Sequence, residues 1–378
     1  MDLSQIPVVD THCHPFDPSR EKDDFRVYFN MSLWPPQDEV IVNTVIIKKM
    51  IRELGKLIGL PDAAGQDEIL QLRNKLYASD RKGYIEKLLG DANVEIMLVD
   101  TGFPHEEFTG YSVDLKTFKE LVPCRVFPVF RISSEVNEIL KKPPSTFEEA
   151  RDIIEKRLKH AVQVEKVVAI KSIIAYETGL DIRKWKEKDA DEAYGRFRKR
   201  KNKGDEKVLR DYFTVMGLKK AGKHDIPIQF HTGFGSAPVL NLYRANPMLL
   251  AELLADEEFR GTKVVLTHSG QPFTKEAGYL CSVYPNCYCD VSSITPYSAP
   301  SIKNAILEIL ELAPASRVMM GSDGVMVPET YWFGIKNGVK GLGRALDELV
   351  SFDWITPHDA VEFAELILYE NAKRLYRV

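Results

Sequence analysis

The sequence predicts an α/β barrel of eight parallel strands, a (β/α)8 fold. Three observations point to it. Eight short apolar or β-branched runs recur along the 378 residues, helix-patterned segments separate most of them, and metal-binding or proton-moving residue types close several runs at their C-terminal ends. An open, doubly wound sheet is the alternative, but it would gather ligands at one switch point rather than at the ends of strands one, five, six and eight.

In chain order, the runs lie at residues 7–11, 94–100, 125–131, 167–173, 226–231, 263–268, 286–291 and 317–323. Helical patterning is expected at 115–122, 146–164, 207–222, 247–259 and 301–313. Ser145-Thr146-Phe147-Glu148 reads as a capped helix start, and Thr356-Pro357 sets an N-cap residue before a proline in the first turn. The interval from about 17 to 93 is far longer than one helix, and its amphipathic stretches predict a helical insertion capping the barrel mouth. Residues 183–207 carry a dense charge run, read as a solvated helix and loop. With no internal repeat or low-complexity linker, residues 1–378 are expected to form a single barrel with that insertion.

Composition narrows the class. A chain 44% hydrophobic and 28% charged, with mean hydropathy −0.22, has the balance of a globular enzyme with a large core. A net charge of −4 offers no global attraction to nucleic acid or anionic membrane, so neither partner is expected. The expected partner is a small-molecule substrate, and self-association is left open. The N-terminus lacks a basic segment followed by an apolar one, and no stretch reaches the roughly 18–20 apolar residues of a membrane helix, so a cytoplasmic protein is expected. Five cysteines without a C-x-x-C spacing are read as buried, reduced thiols.

The site residues follow from strand ends. His12 and His14 flank Cys13, and residues two apart on a strand face the same way, so both imidazoles can reach one ion. His231 closes IPIQFH as a third ligand, and His268 closes KVVLTH, where it completes a second metal position or contacts water or substrate. Asp323 in GSDG is read as a general base, with a turn aspartate as the plain alternative. Lys171 sits in VVAIKSII, where an unpaired charge is costly; it is carbamylated and bridges two metals, pairs with a substrate carboxylate, or snorkels to solvent. Arg131 ends the third strand as a carboxylate clamp or a rim salt bridge. Tyr176, Glu177 and the His231-Thr232-Gly233-Phe234-Gly235 loop line the pocket, with glycines allowing close backbone approach. Asp290, Glu329 and Tyr331 are further candidates for orienting groups or loop packing. Nitrogen donors suit zinc, with manganese the alternative where carboxylates join them, and one or two ions are expected.

The runs IKSIIAYETGLDI, PIQFHTGFG, VVLTHSGQPFTKEAGYLCSVYPN, MMGSDGVMVPETYWFGIK and LYENAKRLY resemble the amidohydrolase superfamily. More specifically, they are similar to the amidohydrolase-type half of nodulin and glutamine synthetase-like fusion proteins, related to the family that contains aromatic acid decarboxylases. The resemblance implies a TIM barrel of the metal-dependent hydrolase type. It implies a metal set of His12, His14, His231, Asp323 and, in binuclear members, a carbamylated Lys171, with Asp323 and His268 catalytic and Arg131, Tyr176 and Glu177 toward substrate. The expected reaction is hydrolysis of an amide-type C–N bond in a small carboxylate-bearing substrate. Metal-dependent non-oxidative decarboxylation and a non-catalytic regulatory module are the alternatives.

Overall fold

The computed structural model describes residues 1–19, 24–34, 37–104 and 112–378; residues 20–23 and 35–36 of the predicted insertion lie outside them. The strands are β1 Val8–Cys13, β2 Val94–Asp100, β3 Arg125–Arg131, β4 Ala169–Ser172, β5 Ile228–His231, β6 Val264–Thr267, β7 Cys287–Asp290 and β8 Val318–Met319. They pair in parallel in chain order, so the strand order never reverses and the doubly wound alternative is excluded. Backbone hydrogen bonds cross the seam between β8 and β1. Thr11 N–H donates to Met320 O (3.1 Å), Asp323 N–H to His12 O (2.8 Å) and His14 N–H to Gly324 O (2.8 Å). The strand at β8 is shorter than its predicted run because the residues after Met319 leave the ladder for these bonds to β1.

Alternation along the strands builds the site. Ile96 and Leu98 of β2, Val129 of β3, Ala169 of β4, Val265 of β6 and Met319 of β8 pack together inside the barrel with Val9. Two residues further on, the same inward rows continue as Asp100, Arg131 and Lys171. Strand β1 departs from this parity. Val9 belongs to the inner cluster and Cys13 to the outer one, so strict alternation would set His12 opposite Val9; a register irregularity between Asp10 and Cys13 restores both histidines to the inside. The far end of the barrel is plugged by the helix Asn371–Tyr376, whose Leu375 and Tyr376 join the inner cluster, and Gln229 Nε2 donates to Tyr376 Oη at 2.9 Å.

The expected helices form with adjusted bounds. Phe147–Gln163 begins with a reciprocal capping box between Thr146 and Glu149, and Pro357–Glu365 with one between Thr356 and Asp359. Lys203–His224 starts earlier than periodicity predicts because the Asn202 side chain caps it through Asp205 N–H. The predicted helix at 247–259 is broken into turns at Pro247–Leu250 and Glu257–Phe259 around a short helix, Ala251–Ala255, since Asn246 and Asp256 each cap a new start. The charge run carries the helix Glu187–Arg200.

Between β1 and β2 lie the helices Asp38–Asn43, Val45–Leu57, Gln66–Ser79 and Arg81–Asp91. They are fastened to the helix Pro328–Ser351 by a buried ion pair: Arg73 Nε donates to Glu329 Oε1 at 2.6 Å, and Tyr84 Oη donates to the same oxygen at 2.8 Å. The preceding segment crosses toward the ends of the strands, where Ser32 pairs with Ala237 after β5 and Tyr297 Oη, after β7, donates to Tyr28 O at 3.4 Å. Among the described residues no helix is long and apolar enough to cross a membrane. All five cysteines are free, and all but Cys124 are buried.

Candidate functional site

At the C-terminal ends of the strands, His12, His14 and Asp323 form a group whose ligand atoms lie within 4.8 Å of one another. The Nε2 atoms of both histidines stand 3.5 Å from Asp323 Oδ1. One ring position of His14 is set by its neighbour: Nδ1 lies 3.1 Å from the Asp100 carbonyl, which only accepts, so Nδ1 carries a hydrogen and Nε2 is the nitrogen that faces Asp323. Burial, reinforced by the charge of Lys171, pushes His12 well below the usual histidine range and keeps it the neutral imidazole that a metal requires. The donor set and its spacing therefore suit a divalent ion.

Asp323 is held where the chain bends sharply. Its φ of 55° is left-handed, a conformation aspartate tolerates better than most residues, and it is fixed by the bond to His12 O. One residue earlier, Ser322 N–H donates to Asp10 Oδ1 at 2.8 Å and its hydroxyl to Asp10 Oδ2. Asp10 is fully buried, and burial pushes its carboxyl up to about 7 against the pull of those bonds. Tyr331 Oη donates to the His14 carbonyl, so of the roles left open for it, orienting group or loop packing, it takes one that braces the end of β1.

His231 and His268 form a second histidine pair beside the first. His268 Nε2 lies 3.0 Å from His231 Nδ1, and the ring centroids of His268 and His12 are 5.3 Å apart. His231 Nε2 has no hydrogen-bond partner among the described residues despite its burial, and it falls outside the tight group of His12, His14 and Asp323. His268, like Asp323, adopts a left-handed backbone, with φ 73°. Burial and the neighbouring cations keep both rings neutral.

Lys171 is fully buried, and its Nζ has no hydrogen-bond partner among the described residues. Burial pulls its amine down to about 8, although the carboxylates of Asp100, Asp290 and Asp323 oppose that pull. Snorkelling is excluded by this burial. Its cross-strand neighbour Arg131 is engaged by Asp100 through Nε (2.9 Å) and Nη2 (2.6 Å), the rim salt bridge that was one of its two expected roles. Burial would raise the Asp100 carboxyl, but Arg131 holds it below the usual range. Tyr176 packs against His231 with centroids 4.5 Å apart and ring planes tilted by 56°, and its hydroxyl accepts from Ser236 N–H at 3.1 Å; burial pushes the phenol up to about 12. Glu177 turns away to Arg210, 2.8 Å distant on the helix Lys203–His224, and burial raises its carboxyl to about 7. Gly235 passes so close to Tyr176 Oη that a Cβ would collide with it, and that Cβ would also sit 3.0 Å from His231 Nε2.

Four groups escaped the sequence reading or were underweighted in it: Asp10, Asp100, Ser292 and Tyr297. Asp100 closes VEIMLVD as Asp323 closes its own run, so the same strand-end signal was present. Asp10 and Ser292 act through hydrogen bonds that no local pattern announces. Tyr297 is raised by burial and by the charge of Asp323.

A family model described as amidohydrolase matches residues 144–378, well over half of the chain. Protein fluG of Emericella nidulans is 26% identical over an alignment covering 98% of this chain and 46% of that protein, so the chain spans less than half the length of this curated relative. Among solved structures, a Lactobacillus casei ATCC 334 protein provisionally assigned as a metal-dependent hydrolase superposes with TM-score 0.85 at 24% identity, covering 99% of this chain and 96% of the other. Uronate isomerase from Thermotoga maritima superposes with TM-score 0.66 at 15% identity, covering 99% and 95%. These likenesses support the barrel alone, whereas the model match settles membership: the chain belongs to the amidohydrolase family.

Proposed function

We propose that the protein is a metal-dependent hydrolase that cleaves an amide-type C–N bond in a small carboxylate-bearing substrate. The observation that carries the reading is the convergence of His12 Nε2, His14 Nε2 and Asp323 Oδ1 beside a buried amine, Lys171, that has no hydrogen-bond partner among the described residues. His12, His14 and Asp323 would hold the ion, with His231 Nε2 as a further donor; zinc suits this set and manganese is the alternative. A divalent ion held there supplies Lewis acidity, polarising a carbonyl oxygen and acidifying water.

The protein's own groups do the rest. Asp323 accepts a proton at its carboxylate and returns it to the departing nitrogen. Lys171, as an ammonium, attracts the substrate carboxylate, which supplies the counter-charge the barrel withholds. Arg131, steadied by Asp100, adds positive potential at the same end, and Tyr176 walls the side next to His231. Two ions bridged by a carbamylated Lys171 are the competing arrangement; the mutual hydrogen bond of His231 and His268 favours the single-ion site.

The test is turnover by purified, metal-defined protein on a panel of N-acyl amino acids, carboxylated amides, hydroxybenzoates and uronates. Release of amine or ammonia that is lost with Asp323→Asn is the expected result. Carbon dioxide release from the hydroxybenzoates, or uronate isomerisation, without any amide cleavage would overturn the reaction while leaving the metal site in place.

A further inference from the structure

The two histidines that do not belong to the tight metal group are joined to a hydrogen-bonded chain running back to β7. Asp290, the last residue of β7, accepts at a single oxygen, Oδ1, from His268 N–H (3.1 Å), Ser292 N–H (3.0 Å) and the Ser292 hydroxyl. The Ser292 hydroxyl in turn lies 2.9 Å from His268 Nδ1, and His268 Nε2 lies 3.0 Å from His231 Nδ1. Every member is buried, and the far end, His231 Nε2, has no hydrogen-bond partner among the described residues.

The direction of every hydrogen follows from the first link. Because two backbone N–H groups point at Asp290 Oδ1, that oxygen is an acceptor whatever the protonation of the carboxyl. The Ser292 hydroxyl therefore spends its hydrogen on Asp290, and its lone pair must receive a hydrogen from His268 Nδ1. A neutral His268 then presents a bare Nε2, so His231 must donate from Nδ1 and is left with its lone pair on Nε2. A cationic His268 would reverse the last link, but the ring is wholly buried and its two nitrogens face a hydroxyl and another imidazole, with no carboxylate among the described residues in contact with them to balance a charge.

We infer that Asp290 and Ser292 are positioning residues that lock His268 and His231 in their Nδ1–H tautomers and thereby aim the His231 Nε2 lone pair into the site. Two features of the chain fit this role. The left-handed backbone of His268 places its N–H and its ring on the same carboxylate–hydroxyl pair, and Gly235 leaves room next to His231 Nε2 that any side chain would fill. Ser292 reaches the site through its hydrogen bond with His268. The inference deepens the metal-site reading by giving His231 Nε2 a donor state, but the tautomers themselves can be read without metal.

The experiment is 15N NMR of histidine-labelled, metal-free protein at neutral pH, with ring signals assigned by His231→Gln and His268→Gln. Both residues are expected as Nδ1–H tautomers. Ser292→Ala should turn His268 into a tautomer mixture and weaken zinc affinity by about 10–100-fold, the usual cost of losing a group that orients a ligand histidine. Ser292→Thr, which keeps the hydroxyl, should restore both readouts. An Nε2–H tautomer at His231 in the unaltered protein, which needs no variant to fold, overturns the inference. So does a Ser292→Ala protein with unchanged ring signals. Zinc binding lost in His12→Ala while the tautomers stay as expected would separate this question from the metal site; tautomers that fail while zinc still binds leave that site standing.

Discussion

A buried amine without a partner is unfavourable, and Lys171 is placed where that cost has a use. Its folded value near 8 lies below its ordinary 10.5. Between those values the unfolded chain binds a proton that the folded one does not, so this residue makes stability rise with pH there; below about pH 8 both states are protonated and the burial penalty is fully present. Lys171→Met should therefore make the metal-free protein more stable than the parent at pH 7. At about 1.4 kcal/mol per pH unit the gap is on the order of 3 kcal/mol, and it should close as pH rises toward 10.5. Urea titrations of the two proteins across that range check it, and a gap independent of pH would contradict it. Asp323 carries a second expectation at this scale. Asp323→Asn keeps size and polarity but removes the proton acceptor, so kcat on the substrate found by the panel should fall by about 10² to 10⁴. With His12 and His14 intact and a carboxamide oxygen still present, metal should remain; an unchanged kcat would move the proton transfer to another group, His268 first.

At the scale of elements, the helices between β1 and β2 are joined to the helix Pro328–Ser351 by a wholly buried ion pair, Arg73–Glu329, beside the more exposed contacts of Asp91 with Trp332 and Lys336. The Arg73 guanidinium is enclosed, 4.9 Å from the Phe25 ring centroid and 4.8 Å from that of Tyr77, and it faces Glu329 with both side chains wholly inaccessible. Replacing Arg73 with Met strands a buried carboxylate, and breaking one half of such a pair costs about 3–5 kcal/mol. The double variant Arg73→Met/Glu329→Gln should recover a large part of that loss in denaturant titrations; a single variant as stable as the parent would show that the junction does not hold the helices. Nothing local in QDEILQLRNKLY marks Arg73 as buried, because its partner lies 256 residues away. Glu329 stays open between an orienting role and loop packing in its own segment for the same reason. By contrast, the caps at Thr146 and Thr356 were legible, since a capping box is complete within four residues.

At the scale of the whole molecule, what was legible is what repeats. The eight runs could be placed because a parallel strand buried on both faces reads as a continuous apolar segment, and the site could be placed because barrel loops gather at one end. His12, His14 and Asp323 thus came together as their strand ends implied. The parity of β1 could not be read, since a register shift between Asp10 and Cys13 leaves no sequence trace, and neither could the partners of Arg131 and Glu177, which are set by distant elements. The five free thiols, four of them buried, give a plain expectation: the melting temperature should be the same with and without reductant, as followed by calorimetry.

The central claim is that His12, His14 and Asp323 bind a divalent ion. Elemental analysis of metal-reconstituted protein tests it most directly, comparing the parent with His12→Ala/His14→Ala after exhaustive dialysis and confirming the fold of both by circular dichroism. The account predicts at least one tightly held ion per chain in the parent and none in the folded double variant. Full metal retention by that variant would contradict it.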